Sequence, residues 1–331
     1  MIEALLGTHV DDISPDFSVL STADNYKDFV KSYFAGTVAA GTAYLAMVND
    51  GYVWSDHFEN AGGGSSTAPK SPDFVFCGPS TGVALVEAKG SRSAALSAFD
   101  TTVRDGYKQQ VEPHLGSAVG GVASTHGFCI GSYLRSTTKA EVRIHHTDSV
   151  TAGSSSASNG EDPEIADLGA LQRHSYATAF RFAHGTKLGE SLRSGNDSGF
   201  AIFYRFQWLG RNWLSRFGMS DDEKLDDLLS YRFYRNVHRR PCRWGFFAIE
   251  EGIATIALAR YFGRKSSETS DQRFEPLPKE LIVSARFAGD EMAGAIFPDG
   301  LAFIGHLPKI DSDNWIIWNF SAGRFEPLNP R

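Results

Sequence analysis

The chain has 331 residues, and its 42% hydrophobic and 21% charged content is that of a soluble globular protein long enough for two modest domains. Its formal net charge of −7 excludes recruitment of nucleic acid by a global positive field, so such a partner must be met by a local patch. Three well-separated cysteines, Cys77, Cys129 and Cys242, exclude a disulfide framework and a thiolate zinc site and fit a reducing cytoplasm.

The opening MIEALLGTHVDD carries an acid at position 3 and too short an apolar run for a signal peptide, and no apolar stretch approaches the length of a membrane span. The expectation is a cytoplasmic protein with no membrane contact. Residues 22–48 predict one helix or two consecutive ones. Phe29, Val30, Tyr33, Phe34 and Val38 follow i, i+3, i+4 spacing, and Thr22 or Asp24 is the cap. Gly36 and Gly41 weaken this helix in isolation, but a small-residue face lets it lie close to a sheet. Asn49-Asp50-Gly51 ends it.

YVWSDHF (52–58) predicts a strand, and AGGGSSTAPKS (61–71) a flexible loop. Two strands follow at about 73–77 and 83–89, then a helix over 94–115, then strands over 127–135 and 140–148. GSSSASNGED (153–162) is the clearest linker. Beyond it, Asp162-Pro163 opens a helix that runs through Leu168, Leu171, Tyr176, Phe180 and Phe182. Residues 200–209 predict a strand, and Ser220 with Glu223 a capping box. Residues 245–259 start as a strand and turn helical, and AGAIFPDGLAFIGHL supplies closing strands around a Pro-Asp-Gly turn. RFEPL occurs at 273–277 and again at 324–328, too short to make a repeat architecture. The order of elements predicts an α/β fold in which a central mixed sheet is flanked by helices over residues 1–150. A linker at 151–162 and a C-terminal α+β domain at 163–331 follow.

The chemistry concentrates at one hairpin. Side chains alternate along a strand, so Val83, Leu85, Glu87 and Lys89 share a face. A turn centred on Ser80 puts residues whose numbers sum to about 160 opposite one another, which sets Asp73 against Glu87. Opposed carboxylates repel unless something positive lies between them, and a divalent cation with hard oxygen ligands answers that need. Lys89 is one pleat along on the same face. Carboxylates, a cation and a lysine suffice for phosphodiester hydrolysis.

Pro72-Asp73, a turn, then Glu87-Ala88-Lys89 resembles the PD-(D/E)xK nuclease superfamily, and the order of elements over about residues 22–148 is similar to its restriction-endonuclease-like core. The resemblance implies a Mg²⁺- or Mn²⁺-dependent endonuclease. Asp73 and Glu87 would bind the metal, the Ala88 carbonyl would add a ligand, and Lys89 would be catalytic. Some members place a Gln or Tyr on the helix after the lysine. Tyr107, Gln109 and Gln110 are the matching positions here, with Gln110 preferred. One departure stands out. Many members carry a glutamate on the first helix, whereas residues 33–48 contain no acid, leaving Asp56 or Glu59 as substitutes.

Other candidates were weighed against plainer roles. His146 and Asp148 share a face of their strand, with His145 and Thr147 on the other, which gives two ligands at most. His57 reads as structural. YRFYRNVHRRPCRW (231–244) is the strongest basic run; Arg235, Arg239, Arg240 and Arg243 are interleaved with aromatics and form a candidate DNA contact. Solvated or acid-paired arginines are the competing reading. FYRFQWLGRNWLSRF (203–217), with Arg205, Arg211 and Arg216, is similar. No Walker A, G-x-G-x-x-G or G-x-S-x-G pattern is present in a supporting context.

The sequence therefore predicts a metal-dependent endonuclease on DNA, with bacterial restriction or phage defence as the fold-level analogy. A homodimer would serve double-strand cleavage. The alternative is a non-catalytic nucleic-acid-binding or assembly module that retains the nuclease fold. A small-molecule hydrolase is a third reading.

Overall fold

A computed structural model describes residues 10–11, 18–25, 27–64, 68–79, 81–92, 95–136, 139–147, 169–196, 201–216, 245–262, 274–281, 294–305, 314–320 and 322–328. The chain divides into two compact units, Met1–Leu171 and Gln172–Arg331. The fold is α/β: a mixed sheet with helices in the first unit and an antiparallel sheet with helices in the second.

The first unit opens with a two-residue pair, β1 (Val10–Asp11) and β2 (Ser18–Val19), and a long helix α1 (Asp28–Asn49). Strand β3 (Trp54–His57) leads into the single turn α2 (Phe58–Ala61). Next come β4 (Phe74–Gly78), β5 (Gly82–Ser91) and helix α3 (Leu96–Gly106). The last strands are β6 (Ala118–Val119), β7 (Val122–Ser136) and β8 (Lys139–His146). The sheet order is β3-β4-β5-β7-β6, with β8 also paired to β7. Only β5 and β7 run parallel, and the crossover between them carries α3.

Two helical layers cover the two faces of this sheet. On one face Phe76, Ala84, Val86 and Ile130 pack with Ala43 and Met47 of α1. The expectation that a small-residue face lets α1 lie close to the sheet holds, with Phe34 of the predicted periodic set buried alongside it. Its buried stripe is Phe34, Ala35, Ala39, Ala43 and Met47, while Phe29 is 78% exposed. Alanines rather than Gly36 and Gly41 make the approach; space around both glycines is open. The close contact is completed from the strand, where a methyl on Gly90 would overlap the Ala35 carbonyl. On the other face Gly131 receives Val103 and Phe99 of α3.

Helix α3 does not continue regularly to residue 115. It passes into a π-helical turn (Tyr107–Val111) and then a 3-10 turn (Glu112–His114). Pro113 explains the change: it has no N–H, and in a regular helix its ring would strike the carbonyl four residues back. The wider turn relieves this, and the Glu112 N–H donates to the Tyr107 carbonyl, five residues earlier.

The second unit holds helices α4 (Gly169–Ala183, whose first turn precedes the boundary) and α5 (Thr186–Ser194), then β9 (Ile202–Trp208) and β10 (Arg211–Ser215). Strand β11 (Phe246–Glu250) passes directly into α6 (Glu251–Phe262), the strand-to-helix change that residues 245–259 predict. Strands β12 (Gly294–Ile296) and β13 (Leu301–Ile304) flank the Pro-Asp-Gly turn, and β14 (Trp315–Asn319) and β15 (Arg324–Pro327) close the sheet. Its order is β12-β13-β11-β10-β9-β14-β15, antiparallel throughout. Leu209 and Gly210, both at positive φ, make the two-residue turn between β9 and β10. The two RFEPL copies part company: the second forms β15, whereas residues 274–278 lie outside any strand. The linker at 153–162, the Asp162-Pro163 start and the Ser220–Glu223 box lie outside the described residues.

Candidate metal-dependent active site

The register of β4 on β5 decides the site. Phe74 faces Val86, Phe76 faces Ala84 and Gly78 faces Gly82, so every pair sums to 160 and the next pair outward is Asp73 with Glu87. The β5–β7 ladder sets Glu87 beside Cys129 and Lys89 beside Gly131. Glu87 and Lys89 therefore emerge on the α3 side, opposite the face that packs on α1. A methyl on Gly106 at the end of α3 would meet Lys89 Cε at 2.9 Å, which locates the lysine under the π-helical turn.

The two acids are interlocked through the backbone. The Ala88 N–H donates to Asp73 Oδ2 at 2.9 Å, and the Asp73 N–H donates to Glu87 Oε2 at 3.1 Å. Glu87 Oε1 is paired with Lys89 Nζ. Lys89 Nζ also donates to Gln110 Oε1 at 3.2 Å, and Gln110 Nε2 donates to the Ser71 carbonyl at 3.3 Å. Asp73, Glu87, Ala88, Lys89 and Gln110 thus form one connected cluster. Glu87 is only 2% exposed, and burial pushes its carboxyl up to about 7; the Lys89 hydrogen bond pulls it down and the Asp73 charge pushes it up further. Cys129 contributes no thiolate, since burial raises its thiol to about 12.

The side-chain donors gathered here are two hard carboxylates, each of which also accepts a backbone N–H. Among the described residues no group of three His, Cys, Asp or Glu side chains is gathered to hold a metal. Mg²⁺ and Mn²⁺ take one or two carboxylates and keep water or phosphate oxygens elsewhere, so this set fits them and does not fit zinc. Asp56 and Glu59 are used otherwise. Asp56 Oδ1 accepts from the His57 N–H at 2.8 Å and Asn60 Nδ2 at 3.0 Å, bracing α2, and Glu59 Oε1 accepts from Ser71 Oγ at 3.3 Å.

The remaining candidates take structural places. Tyr107 is buried, and its ring meets His145 edge-on at 4.7 Å. His146 stacks on Phe128, and His57 lies against Phe74. Arg205 pairs with Glu251, Arg211 with Glu250 at 3.3 Å, and Arg216 is buried, so the described part of this stretch holds the β9–β10 hairpin with two of its cations ion-paired. Arg235, Arg239, Arg240, Arg243 and Asp148 lie outside the described residues.

Sequence reasoning missed Lys70, Ser71 and His114. His114 is buried, with Nε2 2.8 Å from the Lys70 carbonyl and its ring edge-on to Phe58 at 4.9 Å. Gln109 Oε1 accepts from Lys70 Nζ at 3.1 Å. The approach to Asp73 is thereby pinned to the π-helical turn although its composition reads as loop. The one available signal was Pro113, which marks where the helix must deform.

A separate cavity of about 670 Å³ lies on the α1 side of the same sheet, lined by Met47, Asp50, His126, Phe128, Ile144 and His146 among others. No helix among the described residues is long and apolar enough to cross a membrane.

No protein-family model matches the chain, and no match was found among curated proteins or among solved structures.

Proposed function

We propose that the protein is a metal-dependent nuclease that hydrolyses phosphodiester bonds in DNA, with its active site at Asp73, Glu87, Ala88, Lys89 and Gln110. The observation that carries this reading is the β4–β5 register: it brings two carboxylates and a lysine to one strand end on one face. Asp73 and Glu87, with the Ala88 carbonyl, would hold Mg²⁺ or Mn²⁺. When bound, the cation supplies a polarised phosphoryl oxygen and a water acidified toward neutral pH. The protein's own groups do the rest. Lys89, kept in place by Gln110, sets its ammonium where negative charge grows on the phosphate. Water adds to phosphorus and gives up one proton to solvent, the bond to the leaving oxygen breaks, and that oxygen takes one proton from solvent. The restriction-endonuclease-like core remains part of this proposal, as do the basic run at 231–244 as a DNA contact and a homodimer.

A non-catalytic nucleic-acid-binding or assembly module is the second reading. What favours it is the count of only two acids at the site among the described residues. The two separate cleanly. Supercoiled plasmid is incubated with Mg²⁺ or Mn²⁺ and wild-type protein, Asp73→Ala or Lys89→Ala. Nicking or linearisation by wild type alone supports the nuclease. Binding without cutting, unchanged in Asp73→Ala, overturns it in favour of the module.

A further inference from the structure

Two consecutive glutamines on the π-helical turn each hold one lysine. Gln110 Oε1 accepts from Lys89 Nζ at 3.2 Å, and Gln109 Oε1 accepts from Lys70 Nζ at 3.1 Å. Lys89 is ion-paired with Glu87. Lys70 is exposed, and among the described residues no carboxylate pairs with it. An amide orients an ammonium without cancelling its charge, so Lys70 is a fixed cation with its charge still available to an anion. Its backbone is fixed as well. His114 Nε2 lies 2.8 Å from the Lys70 carbonyl, and Gln110 Nε2 donates to the next carbonyl, that of Ser71. Glu59 accepts from Ser71 Oγ at 3.3 Å.

We propose that Lys70 contacts the phosphate adjacent to the one being cut, so that the site takes a polynucleotide strand in preference to an isolated phosphodiester. This rests on the nuclease reading and deepens it by naming the residue that would hold a further backbone phosphate beside the scissile ester. Residues 70–73 run in one short segment from the Lys70 cation to the Asp73 carboxylate. A strand laid along that segment would meet a positive group one step from the reacting centre. The contact is electrostatic and carries no base sequence.

The test is binding of a fluorescent DNA oligonucleotide, measured by anisotropy over a NaCl series in EDTA, for wild type, Lys70→Gln and Lys70→Arg. Each neutralised phosphate contributes about 0.9 to the slope of log K on log salt for duplex and about 0.7 for single strands. Lys70→Gln should reduce the slope by about that amount and Lys70→Arg should restore it. In Mg²⁺, Lys70→Gln should raise KM for the oligonucleotide and leave hydrolysis of a dinucleoside monophosphate unchanged. An unaltered slope in Lys70→Gln, with wild type binding and cutting DNA, overturns this inference alone. A wild type that neither binds nor cuts DNA overturns the nuclease reading with it.

Discussion

Both sheets place acids where a strand ends, and they use them in opposite ways. At the end of β11, Glu250 accepts the Ile253 N–H at 2.8 Å through Oε2 and pairs with Arg211 through Oε1, so it caps α6 and ties it to β10. Next to it, Glu251 pairs with Arg205 of β9. Those charges are absorbed into joining elements. Near the end of β5, Glu87 caps no helix. It is buried against a second carboxylate, and its proton affinity rises accordingly. A buried acid whose partners are a neighbouring backbone N–H and a lysine held by an amide, rather than a helix end, is the contrast on which the proposal rests.

The largest effect that would sharpen this contrast is on catalysis. Lys89→Met and Asp73→Asn should each lower plasmid cleavage about 10³-fold or more. Glu250→Gln, at the other strand end, should leave it within about twofold. Equal losses in a gel-based cleavage assay would erase the distinction.

Next in size is packing. Gly90→Ala would drive a methyl into the α1 backbone and should cost roughly 3 kcal/mol in urea unfolding.

The pH response should differ in sign between the units. The Glu87 carboxyl is raised from 4.5 to about 7, so the folded state binds the extra proton and stability falls as pH rises from 4.5 to 7. The loss is on the order of 2 kcal/mol, and it should vanish in Glu87→Gln. In the second unit His184 is lowered from 6.5 to about 3, chiefly by burial and then by the Arg216 charge. Its contribution is present above pH 6.5 and is lost as pH falls toward 3. Urea melts at pH 5 and 7.5 on wild type, Glu87→Gln and His184→Phe would separate the two slopes; parallel behaviour of all three proteins would contradict the assignment.

The smallest effect is the cap itself. Glu250→Ala should lower stability by about 1 kcal/mol through loss of the α6 cap, read from the urea midpoint.

Much of the site was legible because it is local. Asp73 and Glu87 are 14 residues apart across a tight turn, and a turn centre fixes every pairing outward from it. Gln110 was within reach because it lies on the next helix. What the sequence hid was long-range or non-regular. The ties from Gln110 and His114 to Ser71 and Lys70 span about 40 residues, and nothing in a Gly/Ser-rich loop announces that its last residues are pinned. On α1 the small-residue face and Phe34 were legible, but Phe29 and Tyr33 are exposed, because aromatic residues dominate a periodicity reading while the close approach is made at Ala35 against Gly90. β14, with Trp315 and Trp318, was overlooked although Asp/Ser/Asn and Ser/Gly clusters flank it in the sequence.

The π-helical turn carries one further lesson. It holds a surplus residue relative to a regular spiral, so deleting one amino acid from 107–111 would restore regular winding and re-aim the side chains that the wide turn presents. Gln109, Gln110 and His114 would lose their aim together rather than one by one. Three separate grips on the segment leading to the first carboxylate are thus tied to a single winding defect, and Pro113 marks where it is wound that way.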